Sequence, residues 1–287
     1  MKRWVYTLLI VIFAGIFLVS AFYIGSYFWE SYVQQNKYDD LAHKVQNALN
    51  NLTQPTQPNG TEGNAGSTEE TGGAAESTPP ASSLVQVENP KTGKQVWVLP
   101  EYAEIYQMNP DLVGWIRISG TGVDYPVVQR PDEVDYYLYR NFDEEYSKRG
   151  CLYVREVCDV ALPSDNVTIY GHCMRDGTMF GQLSKYRKKN FFETHSTFTF
   201  DTLTEHVTYQ IVAVFTTTAN VGQGFAYHQF VSAVDEAQFN EFVATCKRLS
   251  LYDTGVNATY GDKLICLSTC EYTHSNGRLV IVAKRVA

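Results

Sequence analysis

Lys263–Leu264–Ile265–Cys266–Leu267–Ser268–Thr269–Cys270 is an apolar, strand-like run that ends on a thiol, and Arg278 follows eight positions later, opening another apolar run. Upstream, Asn166–Val167–Thr168–Ile169–Tyr170–Gly171–His172 is also β-like and delivers a histidine at its end. A thiol, an imidazole and a guanidinium therefore all lie at strand termini. The thiolate is the reactive form of cysteine and needs a base or a cation close by to form near neutral pH. This pattern reads as a cysteine enzyme built on strands.

The same β signal recurs from about Leu84 onward, over 95–98, 114–118, 123–129, 151–154, 167–170, 197–200, 207–215, 263–269 and 278–284. Helical periodicity is confined to 100–109 and to 232–249, where Phe239, Phe242, Val243 and Cys246 recur at spacings of three and four. Many short strands with few helices predict a closed β-barrel with peripheral helices over a doubly wound sheet. Asp176–Gly177 marks a tight turn just after His172. The run Tyr136–Tyr137–Leu138–Tyr139 suits either a binding groove or core packing.

The N-terminal part has a different composition. No charge occurs from Trp4 to Trp29, and a helix of that length spans roughly 39 Å, more than the hydrocarbon core of a bilayer. Lys2 and Arg3 precede it, which predicts a cytoplasmic tail at 1–3, a single membrane anchor at 4–29 and everything later outside the cell. A cleaved signal peptide is the alternative, with Val19–Ser20–Ala21 as its small-residue site, but the apolar run continues through Phe28. Residues 30–52 are read as a polar helical stalk. Residues 53–83, rich in Gly, Pro, Ser, Thr, Asn and Glu, are read as a disordered linker, and 84–287 as the catalytic domain.

A net charge of −8 with no basic tract argues against nucleic acid as a partner. Arg187–Lys188–Lys189 is read as a solvated turn. The six cysteines show neither the paired spacing of a zinc site nor the density of a disulfide scaffold. Cys266 and Cys270, four residues apart on one strand, are too distant to bridge. Cys246 and Cys266 are expected to pack as small apolar groups, while Cys173, beside His172, is a candidate for redox sensitivity. Neither a metal nor a cofactor is expected. His43, His195, His206 and His228 are read as surface histidines, and His274, in the turn before Arg278, as a weaker alternative base.

Tyr170–Gly171–His172 with Asp176–Gly177–Thr178–Met179–Phe180, and Leu267–Ser268–Thr269–Cys270 with Gly277–Arg278–Leu279–Val280–Ile281, closely resemble the sortase family, class B. So does Asn109–Pro110–Asp111–Leu112–Val113–Gly114–Trp115–Ile116 followed by Tyr125–Pro126–Val127–Val128–Gln129, and the resemblance covers roughly 95–287. It implies an eight-stranded barrel with a helix between the sixth and seventh strands. It also implies a transpeptidase that cuts the C-terminal sorting signal of a secreted surface protein after Thr, in a motif such as NPxT(N/G), and joins the new end to a peptidoglycan amine. On this reading Cys270 forms a thioacyl enzyme, His172 is the general acid and base, and Arg278 orients substrate and stabilises the oxyanion with a backbone N–H after Cys270. Ser268, Thr269, Glu271 and Leu138 are placed near the substrate. The loop at 219–225 has no residue-by-residue match to the family, and no Asp-Pro-Trp lid of the pilus-building class precedes the barrel. A peptidase that only hydrolyses, and a tethered binding module without catalysis, are the competing readings. The L,D-transpeptidases place a histidine a few residues before their cysteine, whereas the nearest one here is His228.

Overall fold

The computed structural model describes residues 3–53, 84–220, 222–272 and 276–286. Residues 1–2 of the expected tail, the expected linker beyond Thr53, and His274 lie outside them. The chain divides into two units, Met1–Ala42 and His43–Ala287. A single helix, α1, runs Arg3–Thr53. By length and composition its apolar part is long enough to cross a membrane.

In the second unit β1 (Val85–Glu88) and β2 (Gln95–Val98) form a small antiparallel hairpin, followed by a 3₁₀ turn at Pro100–Tyr102 and the short helix α2 (Ala103–Met108). Eight further strands follow: β3 (Leu112–Ile118), β4 (Val123–Val128), β5 (Leu152–Val154), β6 (Asn166–Tyr170), β7 (Thr197–Thr202), β8 (Thr208–Thr218), β9 (Leu264–Glu271) and β10 (Gly277–Arg285). They close into a barrel in the order β10-β8-β7-β3-β4-β5-β6-β9. This is the expected closed eight-stranded barrel. The short helix α3 (Lys189–Thr194) precedes β7, and α4 (Glu236–Leu249) lies between β8 and β9, the sixth and seventh barrel strands.

Strand β9 is buried along nearly its whole length, which explains its continuous apolar sequence. Ile265 and Leu267 are wholly buried, and Leu264 and Cys266 belong to a cluster with Phe239, Phe242, Val243 and Cys246 of α4. The apolar face of α4 is the one its spacing predicts. Cys246 and Cys266 are wholly buried, and burial raises the pKa of both thiols, so they pack as small apolar groups. All six cysteines are free.

Two local expectations need correction. Helix α4 starts at Glu236, because the Asp235 side chain accepts a hydrogen bond from Gln238 N–H (2.9 Å) and caps the first turn; 232–235 is lead-in. Strand β1 was not anticipated, since two of its four residues are polar and only Val87 is buried. His206 lies at the surface, as expected, and it is also engaged. It lies 3.1 Å from Glu101 and 3.2 Å from Asp201, and Asp201 also accepts from the Tyr102 hydroxyl (2.7 Å), so the 3₁₀ turn is tied to the β7–β8 corner.

The adjacent carboxylates of Asp201 and Glu101 raise the pKa of His206 to about 10. A folded-state value above the unfolded one, about 6.5, means the stabilisation is complete below that pH and fades as the pH rises through 10. His206→Gln is therefore expected to lower the melting temperature at pH 6 and to make no difference by about pH 11, as thermal melts at the two pH values would report.

Candidate active site

Register alone brings the three predicted groups together. β9 and β10 are antiparallel with Cys270 directly opposite Arg278. β6 and β9 are parallel with Tyr170 opposite Ser268, and Gly171 N–H continues the pairing by donating to Ser268 O (3.1 Å). Two residues beyond that pair stand His172 and Cys270. Because side chains alternate along strands, Tyr170 and His172 share a face with Ser268 and Cys270. All four, with Arg278, line one cleft of about 410 Å³. A larger groove of about 690 Å³ between the end of β8 and α4 is lined by threonines and Arg248, with neither thiol nor imidazole.

The histidine is held from several sides. Its Nε2–H donates to the Leu138 carbonyl (2.7 Å); a carbonyl only accepts, so in the neutral ring the lone pair is left on Nδ1. The Tyr139 ring packs against the imidazole at 5.6 Å between centroids. The loop after it closes through Phe180 N–H to His172 O (3.0 Å) and a bridge between Cys173 and Met179. Buried Arg149 ion-pairs with Asp176 at the predicted turn and bonds Thr178. Gly171 is required here, because a Cβ would run into Leu152 and lie 2.7 Å from the Phe180 ring.

Cys270 is partly exposed at the end of β9. Arg278 donates from Nη1 to Gly277 O (3.0 Å) and Asn276 O (3.3 Å) at the root of β10. Ser268 is buried with its hydroxyl 2.5 Å from that of Tyr227, and Thr269 Oγ1 donates to Gly171 O (2.7 Å). Both line the cleft, as does Leu138. Glu271 does not: its buried carboxylate turns away and pairs with Arg187 (2.5 Å). Arg187 is exposed, as its sequence suggested, and is also the partner of Glu271 in this ion pair.

Sequence reasoning missed His228. It follows Tyr227 in a 3₁₀ turn and lines the cleft with Arg155, whose guanidinium bonds the His228 carbonyl. Burial, Arg155 and Arg278 lower its pKa, which favours the neutral ring. Asp135 and Glu156 line the same cleft, so the mouth carries both charge signs. Burial raises the pKa of Cys173, and the neighbouring Cys270 and Glu271 add to the shift, so that thiol stays protonated. A nucleophile, an imidazole and a guanidinium on one cleft can form, hold and transfer an acyl group.

The family model described as the sortase domain matches residues 116–286. The chain is 33% identical over 191 residues to sortase B of Listeria monocytogenes, covering 66% of this chain and 75% of that protein. It is 32% identical over 192 residues to sortase B of Staphylococcus aureus, with coverage of 66% and 76%. Among solved structures, the Staphylococcus aureus sortase B–substrate complex superposes with a TM-score of 0.69 at 25% identity, covering 90% of this chain and 98% of that one.

Proposed function

Because this chain belongs to the sortase family as a class B cysteine transpeptidase, we propose that it cleaves an NPxTx-like C-terminal sorting signal after Thr and transfers the acyl end to a peptidoglycan amine. The observation that supports this reading is the strand register that sets Cys270 opposite Arg278 and beside the His172 terminus in a single cleft. Cys270 Sγ attacks the Thr carbonyl and His172 protonates the departing amine, leaving a thioester. His172 then takes the proton from the incoming amine as it displaces the thiol. Arg278 faces the oxyanion. Leu138, Ser268 and Thr269 shape the wall against which the motif lies, and Glu271 acts from behind it.

Helix α1 serves as the membrane anchor, with the N-terminus cytoplasmic and the barrel outside. Substrates are then surface proteins emerging at the same membrane. A relative solved as a substrate complex supports peptide capture in this fold.

The test is mass spectrometry of the full chain in detergent with NPxTx and LPxTG peptides, with and without pentaglycine or a diaminopimelate mimic. Cleavage after Thr with the amine attached, for the NPxTx peptide, is the expected result. Hydrolysed product alone, with every amine offered, favours the peptidase reading.

A further inference from the structure

Two hollows meet at the end of β8: the cleft that holds Cys270, and the groove of about 690 Å³ beside α4. The groove falls within the roughly 300–1,000 Å³ of small-ligand sites. Asn276 joins the two. Its carbonyl accepts from Arg278 Nη1 (3.3 Å) and from Ala219 N–H (2.9 Å), both cleft residues. Its Nδ2 donates to Oδ1 of Asn220 (3.0 Å), which lines the groove. Thr217, also in the groove wall, is the cross-strand partner of Arg278.

The two hollows differ in chemistry. The cleft mouth holds Asp135 and Glu156, whereas the described residues lining the groove include no carboxylate and one cation, Arg248. Arg248 stands in the last turn of α4 and donates from Nη2 to Thr245 Oγ1 (3.1 Å). Thr245 in turn donates to the exposed Glu241 (3.2 Å). Around the guanidinium are neutral hydrogen-bonding groups, among them Thr216, Asn220 and Gln223, with Phe225 as an apolar wall. A planar fork beside hydroxyls and amides suits a short peptide with a free carboxylate: the fork takes the carboxylate, and the neutral groups take backbone N–H and C=O.

We propose that the groove between β8 and α4 docks the acceptor, a short cell-wall peptide whose free carboxylate pairs with Arg248 while its amine reaches past Asn276 to the acyl group on Cys270. The proposal rests on the reading that Cys270 carries a thioester and that an amine resolves it. The donor peptide then fills the cleft while the acceptor approaches from the neighbouring hollow, so the two substrates do not compete for one site. In the transfer step the amine nitrogen bonds to the acyl carbon, the carbon–sulfur bond breaks, and the amine proton passes through His172 to the leaving sulfur.

The experiment uses the full chain in detergent with an NPxTx peptide as donor. The acceptors are pentaglycine and a diaminopimelate mimic, each compared with the form whose carboxylate is amidated. Intact mass follows thioester formation on Cys270, and product mass follows transfer. Arg248→Ala is expected to raise the acceptor KM about fivefold or more, measured against thioester formation on the same preparation, and Arg248→Lys to raise it less. Amidating the acceptor raises the wild-type KM to a similar degree and removes the difference between wild type and Arg248→Ala, which a merely structural role for Arg248 would not do. An acceptor KM insensitive to Arg248, or one that rises equally for carboxylate and amide, overturns the proposal and leaves the chemistry of the cleft in place. Absence of any thioester in the wild type would instead overturn the reading of Cys270, and the proposal with it.

Discussion

Cys270→Ala is expected to abolish both cleavage and transfer while leaving the melting temperature within a few degrees of the wild type. The loss follows from the proposed chemistry, in which the acyl group is carried on Sγ, and no other described residue lining the cleft is a thiol. Cys173, the nearest alternative in sequence to His172, is not among the cleft-lining residues and is held protonated by burial. Cys246 and Cys266 are wholly buried. Removing the nucleophile of a covalent mechanism costs on the order of 10⁴-fold or more, because the residual rate comes from binding and electrostatics alone. Folding should survive, since Cys270 is partly exposed at a strand end and the backbone pairing with Arg278 does not use the thiol. Peptide turnover, the thioester intermediate seen by intact mass, and a thermal melt on the same preparation check both halves. Transfer at the wild-type rate would transfer the assignment to a different nucleophile, and a collapsed melt would make the lost activity uninformative.

The barrel was legible because its strands carry strong β-branched and aromatic runs, and β9 and β10 each span the core. The candidate site was legible because Cys270 and His172 stand where apolar runs finish and Arg278 where one opens, and strands that leave a core at one end deliver their termini to one rim. The family motifs then supplied roles that composition could not. What stayed hidden was pairing between distant segments. Arg187 and Glu271 meet across 84 positions, and Arg187 lies in a basic triplet that looks like solvated surface. His228 reaches the cleft only because the segment after β8 folds back so that Tyr227 can meet Ser268. His206 looked like a loop histidine until its two carboxylates, on different elements, were brought to it. Local pattern reports periodicity, and it carries no information about which charge a fold sets opposite another.

Arg278→Lys keeps the charge and the strand position, and it is nonetheless expected to lower kcat/KM by about 10²- to 10³-fold, the range found when one oxyanion donor is removed. The reason lies in how the guanidinium is used. One nitrogen already bonds the carbonyls of Asn276 and Gly277 at the hairpin root, which anchors the group and leaves the rest of the planar fork for the cleft. An ammonium offers three donors from one point, at the end of a flexible stem. It can satisfy the hairpin carbonyls or face the developing oxyanion, and geometry prevents it from doing both well. The effect should fall mainly on kcat for acylation, because the oxyanion forms in the transition state and a contact made only there does not contribute to ground-state affinity. The melting temperature should change little, since Arg278 is only partly buried and its backbone pairing to Cys270 and Thr217 is independent of the side chain. Single-turnover acylation followed by intact mass separates this step from amine capture. A variant that acylates at the wild-type rate would remove Arg278 from the chemistry and leave it a purely structural role at the root of β10.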